Sequence, residues 1–104
     1  MLMSEAFPEF SIELQGLLRD EGEAKIAEQV PGFRILERCR CGDDYCATMY
    51  AYKERRESYQ PDYRSISLHP KTGMIVLDVI EGKIIGIEVL FRAAIRNKLL
   101  EMLP

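Results

Sequence analysis

Hydrophobic and polar positions along the chain change period twice, and each change marks a change of element. Phe10, Leu14, Leu17 and Leu18 fall at i, i+4, i+7 and i+8, one stripe of a 3.6-residue period. Pro8 suits the first turn of that helix, and Asp20-Glu21-Gly22 breaks it. A second, shorter helix carries Ala24, Ile26, Ala27 and Val30 until Pro31-Gly32 stops it. From Phe33 the period falls to two. Phe33, Ile35, Glu37, Cys39 and Cys41 point one way, and Arg34, Leu36, Arg38 and Arg40 the other. Gly42-Asp43-Asp44-Tyr45 turns the chain, and residues 46–53 return as the partner strand. That hairpin sets Cys41 opposite Cys46, Cys39 opposite Thr48, Glu37 near Tyr50 and Ile35 near Tyr52. The cysteine-bearing face is the less charged one and is expected to point inward.

Residues 54–62 have no usable period and read as a solvated loop. Residues 63–69 form a third strand, closed by the turn Pro70-Lys71-Thr72-Gly73. Met74–Ile80 and Lys83–Leu90 then make a hairpin around Glu81-Gly82. A bare two-residue turn would set Val79 opposite Ile84 and mix the two faces. A three-residue loop ending at Gly82 is therefore expected, aligning Ile75, Leu77 and Val79 with Ile87, Ile85 and Lys83. Ile75, Leu77, Val79, Ile85, Ile87 and Val89 become the centre of the core, with Ile66 and Leu68 on the same face. Phe91, Ala94, Ile95, Leu99 and Met102 trace the stripe of a last helix over residues 91–103. The order α-α-β-β-β-β-β-α predicts an α+β fold: a mostly antiparallel five-stranded sheet with helices on one face, and one domain over residues 1–104.

Composition narrows the class. Hydrophobic residues make up 47% and charged residues 30% of 104, enough apolar material for a core without disulfide staples. Fourteen basic against seventeen acidic side chains give a net charge of −3, a poor match to duplex DNA. Lys53, Arg55 and Arg56 lie among Tyr50, Tyr52 and Tyr59, but Glu54 and Glu57 make that stretch charge-mixed, so nucleic acid is not the expected partner. The first eight residues lack the basic and apolar regions of a signal peptide, and the apolar runs are too short to span a bilayer. Three cysteines are an odd count, which excludes a closed disulfide framework in a monomer and points to a reducing cytoplasm.

Those cysteines are the main chemical feature. Cys39 and Cys41 share a strand face, and Cys46 can join them across the turn. The expectation for them is a structural role, since free cysteine behaves as a small hydrophobe. Zinc binding and thiol-redox work are the alternatives, although C-x-C departs from the usual C-x₂₋₄-C spacing of zinc ligands. His69, the sole histidine, could supply a fourth ligand but is expected on another strand and the opposite sheet face. As a general base it would need a partner within hydrogen-bond reach, and Ser65, Ser67 and Glu88 are the nearest prospects. The chain contains neither a G-x-S-x-G elbow nor a Gly-rich phosphate loop, and Asp78 and Glu88 read as solvated strand carboxylates, so no catalytic residues are assigned. The outer face of the last hairpin collects Met74, Val76, Ile80, Ile84 and Leu90, a mixed apolar surface suited to a partner. The expected function is accordingly non-catalytic binding with self-association, as a homodimer or with another protein, through those five residues. The alternative is a thiol-redox or zinc-binding protein using Cys39, Cys41 and Cys46.

The string over residues 33–50, with its C-x-C-G-x₃-C segment from Cys39 to Cys46, resembles a group of small uncharacterised bacterial proteins. The G-x-I-x-G-I-E-x-L run from Gly82 to Leu90 is similar to the closing hairpin of a bacterial domain family of unknown function. The resemblance implies a bacterial, cytoplasmic protein and brings no activity with it.

Overall fold

The first turn of structure precedes the helix that the hydrophobic stripe marks. In the computed structural model, which describes residues 1–52 and 62–104, α1 (Met3–Ala6) opens the chain, with Met3 fully buried. Pro8 then starts α2 (Pro8–Asp20), whose Phe10, Leu14 and Leu18 turn to the core. Gly22, at φ 77°, reverses the chain into α3 (Ala24–Gln29), and a 3₁₀ turn over Val30–Gly32 ends it.

Five strands follow: β1 (Glu37–Arg38), β2 (Met49–Tyr50), β3 (Tyr63–Leu68), β4 (Met74–Ile80) and β5 (Lys83–Leu90). They form one sheet in the order β1-β2-β5-β4-β3, every pair antiparallel. A last helix, α4 (Ala93–Met102), completes the α+β architecture. One sheet face carries Met49, Ile66, Leu68, Ile75, Leu77, Val79, Ile87 and Val89, which join Phe10, Leu14, Leu18, Ile26, Val30, Ile95 and Leu99 in a single buried cluster. The helices therefore cover this face.

Four expectations need correction. In the first hairpin the register holds, Glu37 pairing with Tyr50 and the Cys39 N–H bonding the Thr48 carbonyl. Its face is inverted. β2 pairs with β5 through Met49 and Ile87, so Met49 and Ala47 join the core, and alternation turns Thr48 and Tyr50 to the outer face. Phe33 and Ile35 are buried because they precede β1 and bond the backbone of Met3 and Met1.

The last hairpin uses the two-residue turn. Glu81 and Gly82 have φ of 52° and 75°, both left-handed, the type I′ turn whose twist suits paired strands. Val79 pairs with Ile84, and a bulge then leaves Ile85 without a partner on β4, though its carbonyl accepts the Ala51 N–H, so that Asp78 meets Gly86, Leu77 meets Ile87 and Ile75 meets Val89. The bulge resolves the mixing of faces that the bare turn would otherwise cause. Ile84 thereby lies in the core cluster, 7% exposed, and Ile85 is only half-buried. Ile80 is also buried, at 6%, so neither Ile80 nor Ile84 offers an outer surface. Met74 is exposed, and Val76 and Leu90 are half-buried.

Phe91 does not begin the last helix. Its φ of 62° breaks the chain between β5 and α4, and the residue is 58% exposed. The loop expected over residues 54–62 and the basic residues Lys53, Arg55 and Arg56 lie, but for Asp62, outside the described residues.

Candidate metal centre

Two anchors bring the cysteines together. Gly42, at φ 83°, makes the tight reversal after Cys41, and the Cys46 N–H closes the turn on the Asp43 carbonyl at 3.3 Å. The returning chain is then fastened to the end of β5. Cys46 bridges Leu90, the Ala47 N–H bonds the Val89 carbonyl, and the Phe91 N–H bonds the Tyr45 carbonyl. Tyr45 and Phe91 stack with ring centroids 5.1 Å apart, over the same corner. Gly73 (φ 74°) backs onto this corner, and a Cβ there would fall 2.5 Å from the Leu90 carbonyl oxygen. Only glycine permits that approach.

The result is a cluster of three Sγ atoms, Cys39, Cys41 and Cys46, all within 4.8 Å of one another. Cys41 is exposed, and the other two are half-buried. They are therefore not the buried core thiols expected of a purely structural role. A tetrahedral zinc ion bound at 2.3 Å would hold its sulfurs about 3.8 Å apart, so side-chain rotation of about 1 Å closes the set. The donor set fits a thiophilic ion: three sulfurs, no competing partner in a disulfide, and access from solvent.

Electrostatics set Cys46 and Cys41 apart. Burial opposes charge on Cys46, but the hydroxyl and backbone of Thr48, then the thiols of Cys41 and Cys39, hold it below the ordinary thiol value. Thr48 is itself buried, its Oγ1 lying 3.4 Å from Cys46 Sγ and accepting the Val89 N–H at 3.3 Å. Cys41 moves the other way. A backbone hydrogen bond at Asp43 favours its thiolate, yet the thiol of Cys39, desolvation and the bond and charge of Cys46 push it up to about 11. Burial and then the neighbouring Cys39 also raise the phenol of Tyr50. The cluster thus concentrates its first negative charge on Cys46 while Cys41 keeps its proton. An incoming ion would displace the remaining protons.

The cluster opens on a cleft of about 370 Å³, whose lining includes Asp43, Tyr45, Thr48, Tyr50, Glu88 and Leu90. A second cleft on the β1 side is lined by Glu37, Arg38, Arg40, Tyr50 and Tyr52 together with Cys39 and Cys41. Arg38 and Arg40 are engaged there: Arg38 Nε bonds the Leu103 carbonyl, and Arg40 bonds the Pro104 carbonyl and Glu37 at 3.0 and 2.8 Å.

Among the described residues no histidine or carboxylate joins the three sulfurs. His69 follows β3, at the far edge of the sheet from β1, three strand spacings or roughly 14 Å from β2. It is exposed, with Nε2 3.8 Å from Glu21 Oε1. Asp78 accepts the Tyr63 hydroxyl at 2.6 Å, and Ser65 and Ser67 are exposed on β3. Of the residues that condition the thiols, the sequence reading placed Thr48 only as the neighbour of Cys39. Its contact with Cys46 follows from their two-residue spacing on one strand face, and the pairing of β2 with β5 decides only that this face is the outer one. No helix among the described residues is long and apolar enough to cross a membrane.

Comparison with protein-family models, curated proteins and solved structures returns no match.

Proposed function

We propose that this protein binds a thiophilic metal ion through Cys39, Cys41 and Cys46, with zinc as the divalent candidate. The observation that carries the reading is the convergence of three free sulfurs within 4.8 Å on a surface cleft, without burial that would make them core residues. Zinc would take three protein ligands and leave one position open toward that cleft. The two shortest strands, β1 and β2, end beside the cluster, so the ion would also tie together the least-paired part of the sheet. Cobalt(II) tests the reading as an optical stand-in for zinc. One equivalent added to the reduced full chain should produce intense sulfur-to-metal charge-transfer bands, and zinc should bleach them. Absence of those bands at saturating cobalt would overturn it.

A second reading, self-association through the outer sheet face, is supported by the exposure of Met74, at 53%, beside half-buried Val76 and Leu90. Phe91 and Tyr45 extend the same apolar surface past the end of β5. A two-fold contact would cover the patch twice and close without leaving a sticky surface.

A further inference from the structure

We infer that the ligand class this site suits best is a three-coordinate centre, with trivalent arsenic as arsenite the form it would capture. The inference rests on the reading of the three cysteines as an ion site and specifies which ions complete themselves there. Three sulfurs converge, and among the described residues no histidine or carboxylate lies with them as a fourth ligand. As the described residues stand, zinc would take that fourth ligand from water, from a partner, or by drawing in Asp43 or Glu88 from the cleft lining. Trivalent arsenic needs none, because its lone pair occupies the fourth direction.

Charge points the same way. Three thiolates around a divalent ion leave one net negative charge, and around a monovalent ion two. The cleft that would receive that charge is lined by Asp43 and Glu88. Among the described residues, the nearby Arg40 is paired with Glu37 and bonds Pro104, and Arg38 bonds the carbonyls of Leu103 and Cys39. Like charge at close range disfavours an anionic cluster. A trivalent centre with three thiolates is neutral. Arsenite also arrives as a neutral acid, so an acidic cleft does not repel it.

The step balances without an oxidant. Each cysteine S–H exchanges with one As–OH: an As–S bond forms, the As–O bond breaks, and the thiol proton leaves with the hydroxide as water. Three exchanges release three waters, and arsenic stays trivalent throughout. The cluster is reached from solvent on the side of exposed Cys41, and once one sulfur has bound, the other two complete the set intramolecularly.

The test is native mass spectrometry of the full chain, kept reduced with a phosphine and offered arsenite or zinc in parallel. One arsenic should replace three protons, and no thiol should remain open to alkylation. Cys41→Ser, at the exposed position, should weaken arsenite capture roughly 100-fold by removing one intramolecular ligand, with circular dichroism confirming its fold. A chain that binds zinc but not arsenite overturns this inference and leaves the metal-ion reading standing. Arsenic that retains a hydroxyl on only two sulfurs overturns it as well. Failure to bind either ion overturns both.

Discussion

Thr48 shows how one side chain sets the chemistry of another. Its neighbours on β2, Ala47 and Met49, face the core, and Thr48 faces the cysteines, with its hydroxyl beside Cys46. A thiolate accepts a hydrogen bond from that hydroxyl, and this contributes to the lowered value of Cys46. Thr48→Val keeps the shape and removes the donor. The midpoint of Cys46 alkylation against pH should therefore move upward, while Cys41 alkylation stays slow until strongly alkaline pH. An unchanged Cys46 midpoint would mean the hydroxyl does not act on the thiol. Folding is linked with opposite signs to the two cysteines. Cys46, lowered, favours the fold above the unfolded thiol value and loses that contribution as pH falls through its folded value. Cys41, raised to about 11, favours the fold below the unfolded value and loses that contribution as pH rises through its own. The chemistry of the cysteines was legible in the sequence as spacing. Their exposure was not, because the direction of the face depends on Met49 meeting Ile87 from a distant strand.

At the scale of elements, periodicity located the helices α2 and α3 and strands β3 to β5, and misjudged the joints between them. The last hairpin is the clearest example. Alternation argued against a two-residue turn, since it considered strands of equal pace, whereas the bulge at Ile85 lets one strand gain a residue. Glu81 bears the strain of this choice, standing at φ 52° where side chains other than Asn, Asp and Gly are disfavoured. Glu81→Asn should accordingly raise stability by about 0.5–1 kcal/mol, measured by urea unfolding, without moving the register. A loss of stability would show that the turn is not type I′. Phe91 is a second joint that pattern could not reveal. Its position in a helical stripe is real, but the left-handed φ and the bond of its N–H to Tyr45 end β5 there, and the helix begins two residues later.

The whole molecule has one sheet face covered by helices and one carrying the cysteines, Thr48, Tyr50, Glu88 and the exposed Met74. The α+β layout was legible because strand and helix periods differ. The surplus apolar surface was overestimated, since Ile80 and Ile84 are buried, and what remains is Met74, Val76 and Leu90 with the Tyr45–Phe91 stack. If this reduced patch supports self-association, light scattering should give twice the 12.0 kDa chain mass, falling to the monomer on dilution. Val76→Lys should then yield a folded monomer, because an unpaired ammonium is costly when buried and harmless in water. A mass of one chain at every concentration would remove the interface reading and leave the proposed metal-ion reading untouched.

The measurement that bears most directly on that centre is residue-resolved protection of the thiols by zinc. The reduced chain is titrated with zinc, alkylated briefly, digested, and the label on each cysteine is counted by mass spectrometry. Three sulfurs within 4.8 Å acting as one site predict that Cys39, Cys41 and Cys46 become protected together, each completely at one zinc per chain. Labelling that proceeds undiminished at all three, or protection of one cysteine while the other two react freely, would contradict it.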